Sequence, residues 1–302
     1  MHRLSCPRIV LAVLVTVAGC GGGGGSAPDA ASIEVDGDGQ DGSDGSTLGG
    51  DDGPSSTVSH CPTEATVKGG PLARVRWANG IAFCIDSTEV TNAQYAAFLA
   101  ADVDPAGTHG PRCAWNKSFT PETLATNGPP CPTFDSAARG GYPVVCVDWC
   151  DADAYCHWAG KHLCQKPGGG AVESVMAKDA SEWVLACTGD GAGKYPYGVS
   201  ATAGKCVDRQ YPATAPGLRP VKEAVMCEGG VPGLFDMSGN AWEWQDDCVQ
   251  KTGQGGDDAC DPIGGSFSSE VASASCTDTT PFFRKQVAGD TGFRCCVDAD
   301  FF

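Results

Sequence analysis

The sequence predicts an α+β domain with short strands, few helices and much irregular chain, held together by disulfides. Three observations carry that prediction. Two helix starts are written in local capping chemistry, at Thr91-Asn92-Ala93-Gln94 and at Asp148. The apolar runs suited to strands are short, and Gly/Pro-rich connections separate them, with 42 Gly and 20 Pro among 302 residues. Eighteen cysteines are present, and sixteen of them fall between Cys61 and Cys296.

In chain order, residues 1–19 read as a signal peptide. Arg3 and Arg8 precede the apolar run Ile9 to Ala18, and small residues lead into Cys20. The run is too short to span a bilayer, and the box suits cleavage before a lipidated thiol, so Cys20 is the expected lipidation site and new N-terminus. Residues 20–60 then form a disordered Gly/Asp-rich tether holding eight acids and no Lys or Arg. Asp36 to Gly42 distantly resembles a calcium loop but lacks its Gly at position six and its closing Glu. The domain proper is expected over 61–302.

Within it, Ile81 to Asp86 reads as a strand, and the Thr91 capping box opens an amphipathic helix carrying Tyr95, Phe98 and Leu99. Val144 to Val147 reads as a strand leading into a helix capped by Asp148, with Trp149 and Cys156 inward and Gly160 as its stop. A third helix is expected from Asp179 to Cys187, and a last strand from Gly292 to Val297. Residues Ala106 to Arg139 form a long insertion, the expected binding face.

Charge and cysteine usage narrow the function. The formal net charge is −17, and no Lys/Arg stripe exists, so nucleic acid is excluded as a partner. An even cysteine number in an exported chain reads as eight disulfides, while the absence of any C-x-x-C argues against zinc. Spacing alone leaves the pairing open.

Several segments in order resemble the formylglycine-generating enzyme family, also called the sulfatase-modifying factor domain. They are Phe83 to Asp86 with Glu89 to Asn92, Pro143 to Trp149, Tyr155 to Lys161, Tyr195 to Gly198, Gly233 to Trp244, Gly264 to Phe267, and Gly292 to Cys295. The resemblance implies that family's compact α+β fold, distantly similar to C-type lectin domains. It also implies disulfides joining Cys156 to Cys295 and Cys187 to Cys276, and a calcium site. In that site Asp236 and Glu243 give side-chain oxygens and Gly239 and Ala241 give carbonyls, a hard donor set suited to the ion. A second family calcium site falls near Cys206 to Asp208, where only Asp208 could serve.

The family's catalytic signal is missing. Active members hold copper between two cysteines after the Gly-Gly-Ser motif, because soft thiolates bind Cu(I) and let it use oxygen. Here Ser266 to Ser275 contains no cysteine. His157 and His162 read as surface or cap residues, and no zinc-hydrolase or nucleophile-elbow pattern replaces the lost thiols. The expected function is a non-catalytic binding or structural module on an exported lipoprotein at the outer membrane or cell surface, with a protein or carbohydrate ligand and a membrane contact through its lipid. The alternative is a copper- and oxygen-dependent formylglycine-generating oxidoreductase or related thiol oxidase, drawing on extra cysteines such as Cys260 or Cys296.

Overall fold

The computed structural model describes residues 59–301, apart from 64, 77–79, 81, 106–109, 173–180, 190–192, 213, 215 and 249–254. The signal segment, Cys20, most of the tether and the Asp36 to Gly42 loop lie outside the described residues. No described helix is long and apolar enough to cross a membrane.

Among the described residues there are eight short strands: β1 Ser59–His60, β2 Leu72–Arg76, β3 Ala82–Asp86, β4 His162–Leu163, β5 Trp242–Trp244, β6 Thr291–Phe293, β7 Cys295–Asp298 and β8 Asp300–Phe301. The central sheet is antiparallel in the order β2-β3-β7-β4, with Ile85 opposite Cys296 and Leu163 opposite Cys295. A parallel pair sets β5 beside β6, and β1 pairs antiparallel with β8. Among the described residues three α-helices accompany these strands: α1 Asn92–Leu99, α2 Trp149–Trp158 and α3 Glu182–Thr188.

The predicted capping box at Thr91 and the predicted N-cap at Asp148 both form, the second as a full reciprocal box. Thr91 accepts from the Gln94 amide at 3.3 Å, and the Gln94 side chain accepts from the Thr91 amide at 2.8 Å. At α2 the partner of Asp148 is Asp151, each carboxylate accepting the other's backbone N–H. Such caps satisfy amides that the helix leaves unpaired, each contributing about 1 kcal/mol. Gly160 closes α2 at φ 77°.

Three expectations are corrected. Val144 to Val147 is not a strand: all four residues are buried, Cys146 sits at φ 62°, and their backbone bonds go to Val90 and Ala288 rather than to a ladder. The expected strand Gly292 to Val297 divides at Arg294, whose buried side chain separates β6 from β7. The third helix begins at Glu182, because Ser181 supplies the cap by accepting from Val184; Asp179 lies outside the described residues.

Two large apolar groups, with two smaller ones around Val145 and Val207, fill the interior of the described residues. One gathers Tyr95, Phe98, Tyr155, Trp244 and Phe293, with Tyr95 and Tyr155 stacked at 5.7 Å. The other gathers Phe83, Ile85, Trp183, Leu185 and Met237. Eight disulfides tie these layers: Cys61–Cys84, Cys113–Cys150, Cys131–Cys146, Cys156–Cys295, Cys164–Cys296, Cys187–Cys276, Cys206–Cys227 and Cys248–Cys260. Two of them pin the insertion, through Cys113 and Cys131, to the segment around α2.

Candidate binding and metal sites

The Gly264-Gly265-Ser266 turn, where copper thiols would follow, is occupied by hydroxyls. Ser266 and Ser268 each donate to the same oxygen of Asp290 at 2.7 Å, and the two hydroxyls lie 2.9 Å apart. Burial raises the Asp290 carboxyl, and the two serine donors act against that rise. Cys276, the first cysteine after the turn, is bonded to Cys187. Cys260 and Cys296, on which a rearranged copper site would draw, are bonded to Cys248 and Cys164. All sixteen cysteines from Cys61 to Cys296 are in disulfides, so the residues present do not fit a resting copper dithiolate.

The Gly233 to Trp244 segment builds a charged centre under the turn. Pairing of β5 with β6 sets Glu243 opposite Gly292, and a side chain at Gly292 would strike the Val144 carbonyl at 2.4 Å. Glu243 consequently meets Arg294, which donates to its two oxygens at 2.7 and 2.8 Å, while the Trp183 indole donates at 2.7 Å. Arg294 also donates to the carbonyls of Asp86 and Phe235. Asp86 in turn accepts from the Cys295 amide and pairs with Lys161.

Four residues in this segment are left-handed: Gly233 at φ 80°, Asp236 at 60°, Gly239 at 82° and Asn240 at 59°. Only glycine fits at 239, since a Cβ there would lie 2.3 Å from the Val207 carbonyl. Asp236 accepts from the Lys222 amide at 2.7 Å, and Asn240 donates to Glu89 at 2.9 Å. The second Glu89 oxygen is buried without a hydrogen-bond partner. Burial raises Asp236 to about 6, and burial together with the neighbouring Asp236 charge pushes Glu89 well up. Three buried carboxylates thus face one guanidinium, and the donor set fits a hard cation by its charge deficit and oxygen chemistry. Glu243 already spends both oxygens on Arg294 and Trp183, so it offers charge more readily than a vacant oxygen. In the sequence Glu89 and Arg294 stand out only as motif residues; their role depends on contacts between segments far apart in the chain.

Elsewhere, Asp208 is buried and accepts from the Gln210 amide. His157 is exposed and bonds to Asp153, whose carboxylate raises it to about 9, burial opposing. His162 is on β4, not a helix cap, and lies 3.0 Å from Glu182. The insertion walls a cavity of about 460 Å³ lined by Trp115, Asn116, Glu122, Asp148 and Asp151 among others. Burial raises Asp148 to about 7 and Asp151 well above the ordinary carboxyl range, the Asp148 charge adding to the second shift.

Residues 51–299 match the family model described as the sulfatase-modifying factor enzyme 1-like domain. The chain belongs to this family. A sulfatase-modifying factor domain therefore accounts for nearly all of the described structure. The chain is 27% identical to a formylglycine-generating enzyme of Streptomyces coelicolor, over 72% of this chain and 79% of that protein. It is also 29% identical to a mouse protein named inactive C-alpha-formylglycine-generating enzyme 2, over 52% of this chain and 49% of that one. The solved structure of CarF shares the fold at a TM-score of 0.50 and 21% identity, covering 78% of this chain and 97% of that one.

Proposed function

We propose that this sulfatase-modifying factor domain binds a ligand and does not oxidise cysteine, and that it is carried on an exported lipoprotein anchored through Cys20. The observation that carries the reading is the fate of the sixteen cysteines: each has a disulfide partner, and the segment after the Gly-Gly-Ser motif, whose Ser266 and Ser268 hydroxyls bond Asp290, holds no thiol before the disulfide-bonded Cys276. Without two thiolates there is no soft site for Cu(I) and no route from oxygen to a substrate thiol. The lipid anchor is supported by the Arg-flanked apolar run before Cys20, and the acidic tether gives the domain reach from an outer-membrane or cell surface.

Calcium bound by Asp236, the Gly239 and Ala241 carbonyls and the charge of Glu243 would stiffen the turn. It would also offset the excess of carboxylates around Glu89. The insertion cavity, with Trp115 at its wall and Asp148 and Asp151 within, supports 106–139 as a binding face for a protein or carbohydrate partner. The test is a mapped free-thiol count on the denatured, non-reduced chain after export. Zero free thiols from Cys61 to Cys296 is the expected result; two, brought together by the fold and supporting copper-dependent oxidation of a sulfatase-type peptide, would overturn the reading.

A further inference from the structure

A second cavity, of about 530 Å³, lies away from both the insertion and the Gly-Gly-Ser turn, between the segment entering β2 and the exposed edges of α1 and α2. Its walls are the Trp158 ring and the methyls of Ala93 and Ala97. Among the described residues no carboxylate lines it. Its polar side chains, Lys68, Gln94 and Tyr155, can each donate, and each is fixed by a different structural device.

Tyr155 is fully buried within the aromatic core, yet its hydroxyl has no hydrogen-bond partner. That hydroxyl lies under Gly69, at φ 104°, where a Cβ would stand 3.4 Å from it and 3.0 Å from the Lys161 Nζ. An unpaired buried hydroxyl costs about 1–3 kcal/mol, so its position calls for an acceptor. Gln94 is oriented by the α1 capping box: its oxygen accepts from Thr91, which turns its NH₂ group toward Gly70, 2.8 Å from where a Cβ would be. Lys68 reaches across the rim, donating to the Trp158 carbonyl at 3.2 Å with its ammonium 4.4 Å from the ring centre. Glycine at 69 and 70 keeps a Cβ off the Tyr155 hydroxyl and off the Gln94 amide.

Three donors spread around an aromatic and methyl-lined wall suit a ring that is apolar on its face and rich in acceptors on its edge. A fatty chain would leave the donors unpaired, and a cation would meet only like charge. We propose that this cavity binds a carboxylated pyranose, with its ring face against Trp158, its carboxylate at Lys68 and its hydroxyl oxygens at Tyr155 and Gln94. The assignment rests on the reading of the domain as a binding module, but its test is separate, because the thiol count is silent about this cavity.

The experiment is calorimetric and NMR titration of the oxidised full chain with glucuronate, and with glucose as the neutral counterpart. Saturable glucuronate binding, tighter than glucose, is expected. Tyr155→Phe should weaken it by about tenfold, the worth of one hydrogen bond to an acceptor, without lowering the melting temperature of the free protein, because the hydroxyl has no partner in the fold and its removal relieves an unmet buried group. Lys68→Gln should abolish the preference for the acid over the neutral sugar. Absence of saturable glucuronate binding, equal binding of glucose, or Tyr155→Phe binding as well as the parent would each overturn the proposal. A lowered melting temperature in Tyr155→Phe would overturn it as well, by showing that the hydroxyl serves the fold.

Discussion

Arg294 grips Glu243 through two nitrogens, at 2.7 and 2.8 Å, with both side chains buried. The pair joins the turn that follows Gly233 to the break between β6 and β7, and nearby Glu89 and Asp236 help to keep the guanidinium charged. Arg294 acts on both Glu89 and Asp236 besides Glu243, and Lys222 adds a second positive charge near Asp236.

Replacing Arg294 by Met should therefore destabilise the domain by about 3–5 kcal/mol, the usual cost of orphaning one member of a buried ion pair. Urea unfolding with disulfides intact measures it. A loss below about 1 kcal/mol would mean that the carboxylates carry protons and never needed the guanidinium.

Calcium should raise the melting temperature, and a chelator should lower it, because the ion would offset carboxylate charge that Arg294 alone does not balance. Asp236→Ala should remove the calcium response. Calorimetry with and without the ion tests this, and an identical melting temperature in calcium and in chelator would exclude a structural ion at that turn.

Stability should fall as pH rises. Asp148 has a folded value of about 7, above its ordinary 3.8, so the folded state holds the extra proton between those values. His157, raised to about 9 from 6.5, continues the trend: its contribution is complete below about 6.5 and is lost as pH passes 9. Melting temperatures from pH 5 to 9 should decline throughout. Asp148→Asn keeps a good helix cap and removes the titration, so it should flatten the slope between pH 5 and 7.

Two disulfides should prove strongly non-additive. Cys156–Cys295 and Cys164–Cys296 span 139 and 132 residues, but their ends lie only eight and one residues apart. While one is closed, the other closes a loop of about ten residues, worth about 3 kcal/mol; once its neighbour is gone, the survivor holds a long loop worth about 5 kcal/mol. Removing either pair alone should thus cost less than removing the second from a chain already lacking the first. Equal steps in a double-mutant cycle would contradict this.

Much of the fold was legible because its signals are local. Thr91 with Gln94, and Asp148 with Gly160, declare their helices within a few residues. Val144 to Val147 misled because four consecutive apolar side chains look like a buried strand whether or not the backbone is extended, and the left-handed Cys146 leaves no trace in the pattern. The family motifs named Asp236 and Glu243, but not that Arg294 would engage Glu243, since that contact spans 51 residues. The orphaned Tyr155 hydroxyl was hidden for a related reason: a tyrosine among core aromatics carries no mark of an unmet hydrogen bond.

The adjacency of Cys295 and Cys296 on β7 also poses a problem of order during oxidation. Two thiols next to each other in sequence must choose between Cys156 and Cys164, and a crossed choice would shift β7 by one residue and turn its side chains to the wrong face. The pairing of Leu163 with Cys295 and of His162 with Cys296 sets that choice, so strand register has to precede the covalent bond or be restored by exchange afterward. Refolding from the reduced chain should accordingly pass through scrambled isomers, and a thiol-exchange catalyst should speed recovery of the native pairing.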